Sequence, residues 1–281
     1  MPVKARLTGL LMALCCGALL VGGLAGAQGR SYQPRVVGGT AAPADGRFDA
    51  VARILIDRTT QCTGTLVAPR YVLTAAHCVY RPKVLGVPLA PAPSVKVTLG
   101  TTRSDGAGGT AYDVDAISIP PEYDDNDHHD VALLRLTTTA SQAPVKVAGV
   151  GAQPLWAPGV LETVAGFGAT SEGGSSASEM QVAQVPIIDD ATCRTRYGTF
   201  ENATQICAGY PQGGIDTCQG DSGGPLFGSD ANGAFKLVGA TSYGDGCARP
   251  GSPGVYARVA DTTLREWIRS IAPAAIDDAV A

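Results

Sequence analysis

Short apolar runs separated by turn-forming residues dominate the chain. Examples are residues 51–56 (VARILI), 95–99 (VKVTL), 131–136 (VALLRL) and 236–240 (KLVGA), and Gly, Pro, Asp or Ser residues lie close to their ends. Runs of this length between turn residues predict β-strands. We therefore expect an all-β protein of the sandwich or barrel type.

A helical period of apolar residues is found only near the C-terminus. Leu264, Trp267, Ile268 and Ile271 recur at the spacing that places side chains on one face of a helix. The pattern predicts an amphipathic terminal helix over residues 262–271. We expect it to dock on the domain and assign it no chemistry.

The N-terminal segment is typical of a secretory signal peptide, residues 1–27. Lys4 and Arg6 precede an uncharged apolar stretch at residues 7–24, and AGA at residues 25–27 fits a small-x-small cleavage site. A membrane anchor is the alternative, because the apolar stretch is nearly long enough to span a bilayer. The glycines in the stretch and the small residues that follow it favour the signal peptide. We therefore expect a secreted protein, extracellular or periplasmic.

Three loop segments and a tail divide the rest of the chain. Residues 149–159 are rich in Gly, Pro and Ala and lie near the middle, where they predict a crossing between two halves. Residues 81–93 hold four prolines and predict a long surface loop, and the Gly/Ser-rich residues 171–178 predict a mobile one. Residues 272–281 form a C-terminal tail.

Charge and cysteine content narrow the class further. Removing the first 35 residues takes away four basic and no acidic side chains, so the formal charge moves from −4 to −8. An acidic surface argues against nucleic acid as a partner. Six cysteines remain, an even number that predicts three disulfides with fifteen possible pairings, of which the near-neighbour set is the simplest. The absence of a CxxC pair argues against zinc, and we expect no metal and no cofactor. The cysteines are Cys62, Cys78, Cys193, Cys207, Cys218 and Cys247.

The strongest chemical signal is GDSGGP at residues 220–225. It places Ser222 in a glycine-rich turn, whose exposed N–H groups let a substrate carbonyl approach the main chain. A serine needs a base to become a good nucleophile, and all three histidines, His77, His128 and His129, precede it. The GxSxG elbow of α/β-hydrolases needs a later histidine, so that fold is excluded and the order His–Asp–Ser remains.

Two residues are the best partners for this serine. His77 lies in the segment LTAAHC, where a disulfide at Cys78 would fix its backbone. Asp130 stands at the head of an apolar strand, where an unpaired carboxylate is costly to bury and a histidine would satisfy it. His128 and His129 are too close to Asp130 in sequence to be obvious bases, and we expect them at the surface or the cleft rim.

Six segments form a recognisable series along the chain: RVVGG (35–39), TAAHC (74–78), DVALL (130–134), DTCQGDSGGP (216–225), SYG (242–244) and PGVY (253–256). Together they resemble a chymotrypsin-family serine protease of the trypsin type. The match runs from residue 36 to residue 271, and the resemblance implies a protease domain there with two six-stranded antiparallel β-barrels and the active site between them.

The resemblance also assigns catalytic roles. Ser222 would be the nucleophile, His77 the general base and Asp130 the acid that orients it, as in the triad template that is drawn from this same family. The backbone N–H groups of Gly220 and Ser222 would form the oxyanion hole. The implied disulfides join Cys62 to Cys78, Cys193 to Cys207 and Cys218 to Cys247.

Substrate specificity follows from the same comparison. Asp216 would lie at the base of the primary pocket and select Arg or Lys, because a mismatched buried charge is penalised. Thr217 keeps the hydroxyl of the serine that trypsins often carry, and its extra methyl would favour Arg slightly. Tyr243 stands where the family usually has Trp. The other implied substrate-binding residues are Gln219, the edge-strand residues Ser242 and Gly244, and the small pocket wall Gly254.

A zymogen is implied as well. A cut after Arg35 would release residues 28–35 as a propeptide and free the amine of Val36, which in this family pairs with the acid before the nucleophile, here Asp221. Residues 100–110 lack the glutamates that bind calcium in vertebrate trypsins, so we expect no calcium there.

The expected partners are protein or peptide substrates with Arg or Lys before the scissile bond, and protein protease inhibitors. We expect a monomer without membrane contact once the signal is removed. The rival function is a family member that binds without turnover, and the presence of all three triad residues argues against it.

Overall fold

The computed structural model describes residues 1, 36–81, 88–124, 126–149, 151–260 and 262–277. Apart from residue 1, the predicted signal peptide and propeptide lie outside these residues, as do residues 82–87 of the proline-rich loop and residues 278–281 of the tail. Chain contacts separate Met1–Gln33 from Pro34–Ala281, and every element below belongs to the second unit.

Strands make up most of the regular secondary structure in the described residues. Three short 3-10 turns lie at Ala92–Ser94, Gln153–Trp156 and Pro273–Ala275. The α-helices are α1 (Ala76–Val79), α2 (Asp190–Arg196) and α3 (Thr262–Ile271). The strands are β1 (Thr40–Ala41), β2 (Val51–Ile56), β3 (Thr60–Ala68), β4 (Tyr71–Thr74), β5 (Val95–Leu99), β6 (Thr110–Ser118), β7 (Ala132–Leu136), β8 (Leu161–Gly166), β9 (Gln181–Ile188), β10 (Gln205–Ala208), β11 (Pro225–Ser229), β12 (Phe235–Tyr243) and β13 (Gly254–Ala257).

The first barrel is closed by six antiparallel strands in the order β2–β3–β4–β7–β6–β5, with β5 pairing back onto β2. Strand β5 shows why the sequence folds this way: Val95, Val97 and Leu99 are buried, whereas Lys96 is exposed and Thr98 partly so. This period of two places one face of each strand in the barrel interior. Both β2 and β5 coincide with runs predicted from the sequence.

The second barrel follows the order β8–β9–β10–β13–β12–β11, and β8 closes it by pairing with both β9 and β11. β1 adds to the outer edge of β9. Val164, Ile206, Leu226, Val238 and Tyr256 fill its interior. The predicted fold class is confirmed: two six-stranded antiparallel barrels with a C-terminal helix.

A further apolar cluster joins the two barrels and receives α3. It contains residues of β3, β4 and β7 from the first barrel and of β8, β11 and β12 from the second. Leu264 and Ile268 of α3 are fully buried in it, and Trp267 and Ile271 pack against it, which is the face predicted from the sequence. Burying a Leu or Ile side chain contributes about 1.5–3 kcal/mol of transfer free energy, so the two buried residues hold the helix with roughly 3–6 kcal/mol.

Disulfides tie the functional loops to the barrels. Each closes a loop of the unfolded chain, with sequence separations of 16, 14 and 29 residues, and contributes about 2–4 kcal/mol. One links β3 to α1, one links α2 to β10, and one links the segment before Ser222 to the loop after β12. The pairs are Cys62–Cys78, Cys193–Cys207 and Cys218–Cys247, the same as the resemblance implies.

The connection between the barrels runs from the end of β7 to the start of β8 and includes the segment predicted as a crossing, residues 149–159. Within the part of the chain that the structure describes, no helix has both the length and the apolar character needed to cross a bilayer.

Candidate active site

The pairing of β4 with β7 brings the histidine and the aspartate together. Thr74 is opposite Ala132, so α1, which follows β4, lies beside Asp130, two residues before the start of β7. The His77 Nδ1 atom is 2.7 Å from Asp130 Oδ2, and the His77 backbone N–H donates to Asp130 Oδ1 at 2.9 Å. A proton on Nδ1 is thereby held by the carboxylate, which leaves Nε2 free to act as a base.

The second barrel completes the environment of Asp130. Ser242 of β12 donates its hydroxyl to Asp130 Oδ2 at 2.5 Å, so this fully buried carboxylate has three donors. Burial acts to lower the pKa of His77, whose side chain is 29% exposed, but the charge of Asp130, its hydrogen bond and the charge of Asp127 raise this pKa above its usual value. The imidazolium form is therefore stabilised in this site. Sequence analysis predicted Ser242 only as a residue of the substrate-binding edge strand, and no sequence pattern indicated its hydrogen bond to Asp130.

Glycines bring the serine turn against the first barrel. Gly223 has φ +77°, and a Cβ there would lie 2.5 Å from the Ala75 nitrogen and 2.6 Å from the Thr63 oxygen. The close approach lets the Thr63 N–H donate to the Ser222 carbonyl at 2.9 Å. Ser222 Oγ makes no hydrogen bond to any described residue, which suits a nucleophile whose bond to the base tightens when substrate binds.

Two backbone N–H groups in the serine turn have no acceptor among the described residues. The N–H of Asp221 donates to Cys218 and that of Gly223 donates to Thr241. By contrast, the N–H groups of Gly220 and Ser222, both partly exposed, donate to no described residue. Preorganised donors of this kind stabilise the oxyanion of a tetrahedral intermediate.

A cavity of about 160 Å³ opens next to Ser222. Asp216 lies in its wall, 3% exposed, and accepts hydrogen bonds from the N–H of Thr217 at 2.8 Å and of Ala248 at 3.0 Å. None of the described Arg or Lys side chains pairs with it. Burial raises the pKa of Asp216 to about 6, because its charged form is poorly solvated.

All seven residues predicted to bind substrate line this cavity. A Cβ on Gly254 would lie 2.8 Å from Asp216 Oδ1, so glycine is needed to keep the carboxylate accessible. Gln219 stands at the rim, where its Oε1 accepts from the Gly173 N–H at 3.2 Å. The seven are Asp216, Thr217, Gln219, Ser242, Tyr243, Gly244 and Gly254.

Asp221 is a fully buried carboxylate without a cation among the described residues. Its oxygens accept from the N–H groups of Gly168 at 2.8 Å and Cys218 at 2.9 Å, and burial raises its pKa to about 7. Val36 is 1% exposed and packs in the interior of the same barrel. Arg35, the predicted cleavage residue, lies outside the described residues.

Sequence reasoning did not single out Asp127, because a run of acidic residues such as Asp124, Asp125 and Asp127 is typical of a solvated loop. Asp124 fits that expectation, since it is exposed and pairs with His128 at 3.0 Å, and Asp125 lies outside the described residues. Asp127 instead is partly buried, and its carboxylate, a ring nitrogen of His77 and a carboxylate oxygen of Asp130 lie within 4.8 Å of one another. Such a group could hold a metal ion, but His77 and Ser242 already occupy both oxygens of Asp130, so the absence of a metal stays our prediction.

A histidine–aspartate pair on one barrel and a serine turn on the other, joined where the Thr63 N–H donates to the Ser222 carbonyl, is the arrangement of the serine proteases built from two β-barrels. Comparison with known proteins agrees. The family model described as Trypsin matches residues 36–268. Trypsin of Saccharopolyspora erythraea is 42% identical over 225 residues, which cover 80% of this chain and 93% of that protein.

Two more distant relatives come from animals. Trypsin 5G1 of Aedes aegypti is 34% identical over 244 residues, covering 84% of this chain and 85% of that protein. Serine protease 56 of Homo sapiens is 38% identical over 247 residues, covering 84% of this chain but only 38% of the human protein. The chain belongs to the trypsin family and is a serine endopeptidase.

Proposed function

We propose that the protein is a secreted endopeptidase, made as a zymogen, that cleaves peptide bonds after Arg or Lys by a Ser–His–Asp triad. The observation that carries the specificity is the buried Asp216 in the cavity beside Ser222, which has no cationic partner among the described residues. An isolated buried charge is unfavourable, and a substrate guanidinium or ammonium compensates it. Secretion rests on the pattern of residues 1–27.

The proposed catalytic steps use the groups described above. Ser222 Oγ attacks the scissile carbonyl while His77 Nε2 takes its proton, and the free N–H groups of Gly220 and Ser222 receive the oxyanion. His77 then returns the proton to the leaving amine as the C–N bond breaks, and water hydrolyses the acyl-enzyme by the reverse route. Asp130 holds the tautomer and stabilises the imidazolium. One oxyanion donor is worth about 3–4 kcal/mol of barrier.

Activation is assigned to Val36 and Asp221. A cut after Arg35 creates an ammonium at Val36, and Asp221 is a buried carboxylate in the same barrel that lacks a cation among the described residues. Pairing the two would hold the 216–222 segment, and with it the oxyanion turn and the pocket, in a single conformation. The propeptide, residues 28–35, ends in Arg35, and the enzyme is proposed to cleave bonds after Arg. The proposal therefore includes autoactivation, in which one molecule of the enzyme cuts another after Arg35.

Short chromogenic amides that end in Arg, Lys, Gln or Phe test the specificity of the activated enzyme. We expect turnover of the Arg and Lys substrates only, a loss of at least about 10³-fold in kcat/KM for them in Asp216→Ser, and loss of nearly all turnover in Ser222→Ala. Thermal unfolding and the three disulfides check that both variants fold. A preference for Phe or Gln would contradict the proposed pocket, and turnover by Ser222→Ala would contradict the proposed nucleophile.

A further inference from the structure

Asp127 places a carboxylate outside the triad against His77. Its side chain is partly buried, and no described Arg or Lys forms an ion pair with it. Its charge acts on the pKa of His77, of Tyr123 and of Tyr243, so it lies among the residues that border the cleft from both barrels. Asp130 repels it, and burial together with that repulsion raises the pKa of Asp127.

The position of Asp127 is built into the fold. Tyr123 donates its O–H to Asp127 Oδ1 at 3.1 Å, and its ring packs edge-on against Tyr80 with centroids 5.2 Å apart. Gln205 of β10 is fully buried and donates its Nε2 to the Asp127 carbonyl at 3.3 Å, and its Oε1 accepts from the Glu201 N–H at 2.9 Å. The backbone of Asp127 is left-handed, with φ +57°, a conformation that Asp adopts more readily than most residues. Held in this way by both barrels, the carboxylate is preorganised.

The path of a substrate follows from the end of β12. Pairing of β11 with β12 stops at Ala240, and the last backbone bonds across it join Thr241 to Gly223 and Gly224. The next three residues, 242–244, therefore offer an open edge along the wall of the cavity, where an extended peptide can add as a strand.

Successive side chains of an extended peptide point to opposite faces. When the residue before the scissile bond fills the cavity that contains Asp216, the side chain of the preceding residue points the other way. The first barrel lies on that side of β12, because Ser242 Oγ reaches Asp130 Oδ2 at 2.5 Å and both His77 and Asp127 lie beside Asp130. A carboxylate that forms no ion pair with a described Arg or Lys thus stands where the second substrate side chain arrives.

We infer that Asp127 binds a cationic side chain at the position immediately before the Arg or Lys, so the preferred substrates carry two consecutive basic residues. The inference rests on the proposed cleavage after Arg or Lys. A Lys or Arg at the second position supplies the cation that the fold does not, and relieves the repulsion between Asp127 and Asp130. A neutral side chain gains nothing there, and an acidic one meets a like charge.

The test uses fluorogenic peptides of identical length that end in Arg and differ only in the preceding residue: Lys, Gln or Glu. For the wild-type enzyme we expect kcat/KM to be about tenfold higher with Lys than with Gln, and lower again with Glu. In Asp127→Asn the Lys-to-Gln ratio should fall to about 1, and in Asp127→Lys the Glu peptide should become better than the Lys peptide.

Asp124→Asn is the matched control, because Asp124 lies in the same loop but pairs with His128. Its Lys-to-Gln ratio should equal that of the wild type. Inhibition by a small aryl amidine, which needs only the pocket of Asp216, checks that this pocket is intact in every variant.

A Lys-to-Gln ratio of kcat/KM near 1 in the wild type would overturn the inference. So would a high ratio in the wild type that is unchanged in Asp127→Asn. If all three Arg peptides are cleaved equally well, the inference alone fails and the proposed function stands. If none of the Arg peptides is cleaved and a peptide that ends in another residue is cleaved, both the inference and the proposed function fail.

Discussion

Individual buried carboxylates in this protein differ in how they are satisfied. Asp130 has three donors, and Asp216 and Asp221 each have two backbone amides. Glu162 of β8 is 1% exposed, and neither of its oxygens has a partner among the described residues. The first three belong to the proposed chemistry, whereas Glu162 has no role in it and only reduces the stability of the fold.

Glu162 therefore predicts a pH-dependent stability. Burial raises its pKa to about 8 from the ordinary 4.5, so the folded protein holds a proton that the unfolded chain releases between these values. Folding is thus weakened progressively from about pH 4.5 to pH 8, by at most about 5 kcal/mol. Glu162→Gln removes this dependence, and urea unfolding should show it more stable than the wild type at pH 8 and equal to it near pH 4.5. A difference that does not change with pH would contradict the account.

Asp216 predicts a pH-dependent affinity. With a pKa of about 6 in the free enzyme, the carboxyl is charged above that pH and neutral below it. Binding of a cation needs the charged form, so the inhibition constant of an aryl amidine should be constant above about pH 7 and rise about tenfold per unit below about pH 6. The amidine does not require His77 as a base, which separates this titration from the catalytic one. An affinity unchanged down to about pH 4 would rule out the raised pKa.

Among the secondary-structure elements, strand pairing and turns position the residues of the candidate active site. The register of β4 against β7 sets the His77–Asp130 pair, and α1, which has only four residues, is fixed by the Cys62–Cys78 disulfide rather than by helix propensity. The turn that contains Ser222 depends on glycine backbone conformations and on close approach to β3.

Gly223→Ala tests this turn. The new Cβ would meet backbone atoms of Ala75 and Thr63 at 2.5–2.6 Å, so the turn must move away from the first barrel. We expect kcat to fall at least about 100-fold, as for a loss of oxyanion donors, together with a loss of roughly 2–4 kcal/mol of stability.

Gly233→Ala is the matched control for that variant. Gly233 has φ +78°, almost the same as +77° at Gly223, but a Cβ added at Gly233 would meet no described atom within 4 Å. Backbone strain alone should cost it about 1 kcal/mol and leave kcat unchanged. Equal losses of kcat in the two variants would show that strain, and not the contact with the first barrel, governs the turn.

At the scale of the whole molecule, the site exists only where the two barrels meet. Hydrogen bonds cross between them from the Thr63 N–H to the Ser222 carbonyl at 2.9 Å, from Thr63 Oγ1 to the Gly220 carbonyl at 2.9 Å, and from Ser242 Oγ to Asp130 Oδ2 at 2.5 Å. Neither barrel alone holds the nucleophile, the base and the pocket.

Activation by cleavage is a prediction at this scale. Arg35→Gln should give an unprocessed protein at least about 10³-fold less active than the wild type, because no ammonium reaches Asp221 and the oxyanion turn is not held. Arg35→Lys, the matched control, should still be processed and active. Mass spectrometry of the N-terminus and active-site titration measure both. Full activity of intact Arg35→Gln would refute the proposed activation.

The class of this protein could be inferred from the sequence without a structure. Short apolar runs between turn residues predicted strands such as residues 51–56 and 95–99, which the structure reproduces, because strand formation in such runs is largely a local property of the chain. The order of the histidines relative to Ser222 excluded the α/β-hydrolase fold, and the motifs around His77 and Asp130 pointed to the family.

Which polar groups come into contact depends on how the two barrels pack. Asp127 looked like a solvated loop residue until its contacts with Tyr123 and Gln205 placed it beside His77. Ser242 and Asp130 are 112 residues apart, and the hydrogen bond between them depends on how two barrels pack. Glu162 lies in a strand, and that strand's inward face leaves it without a partner among the described residues. Burial and partners over such separations are set by the packing of elements, and local sequence carries no record of them.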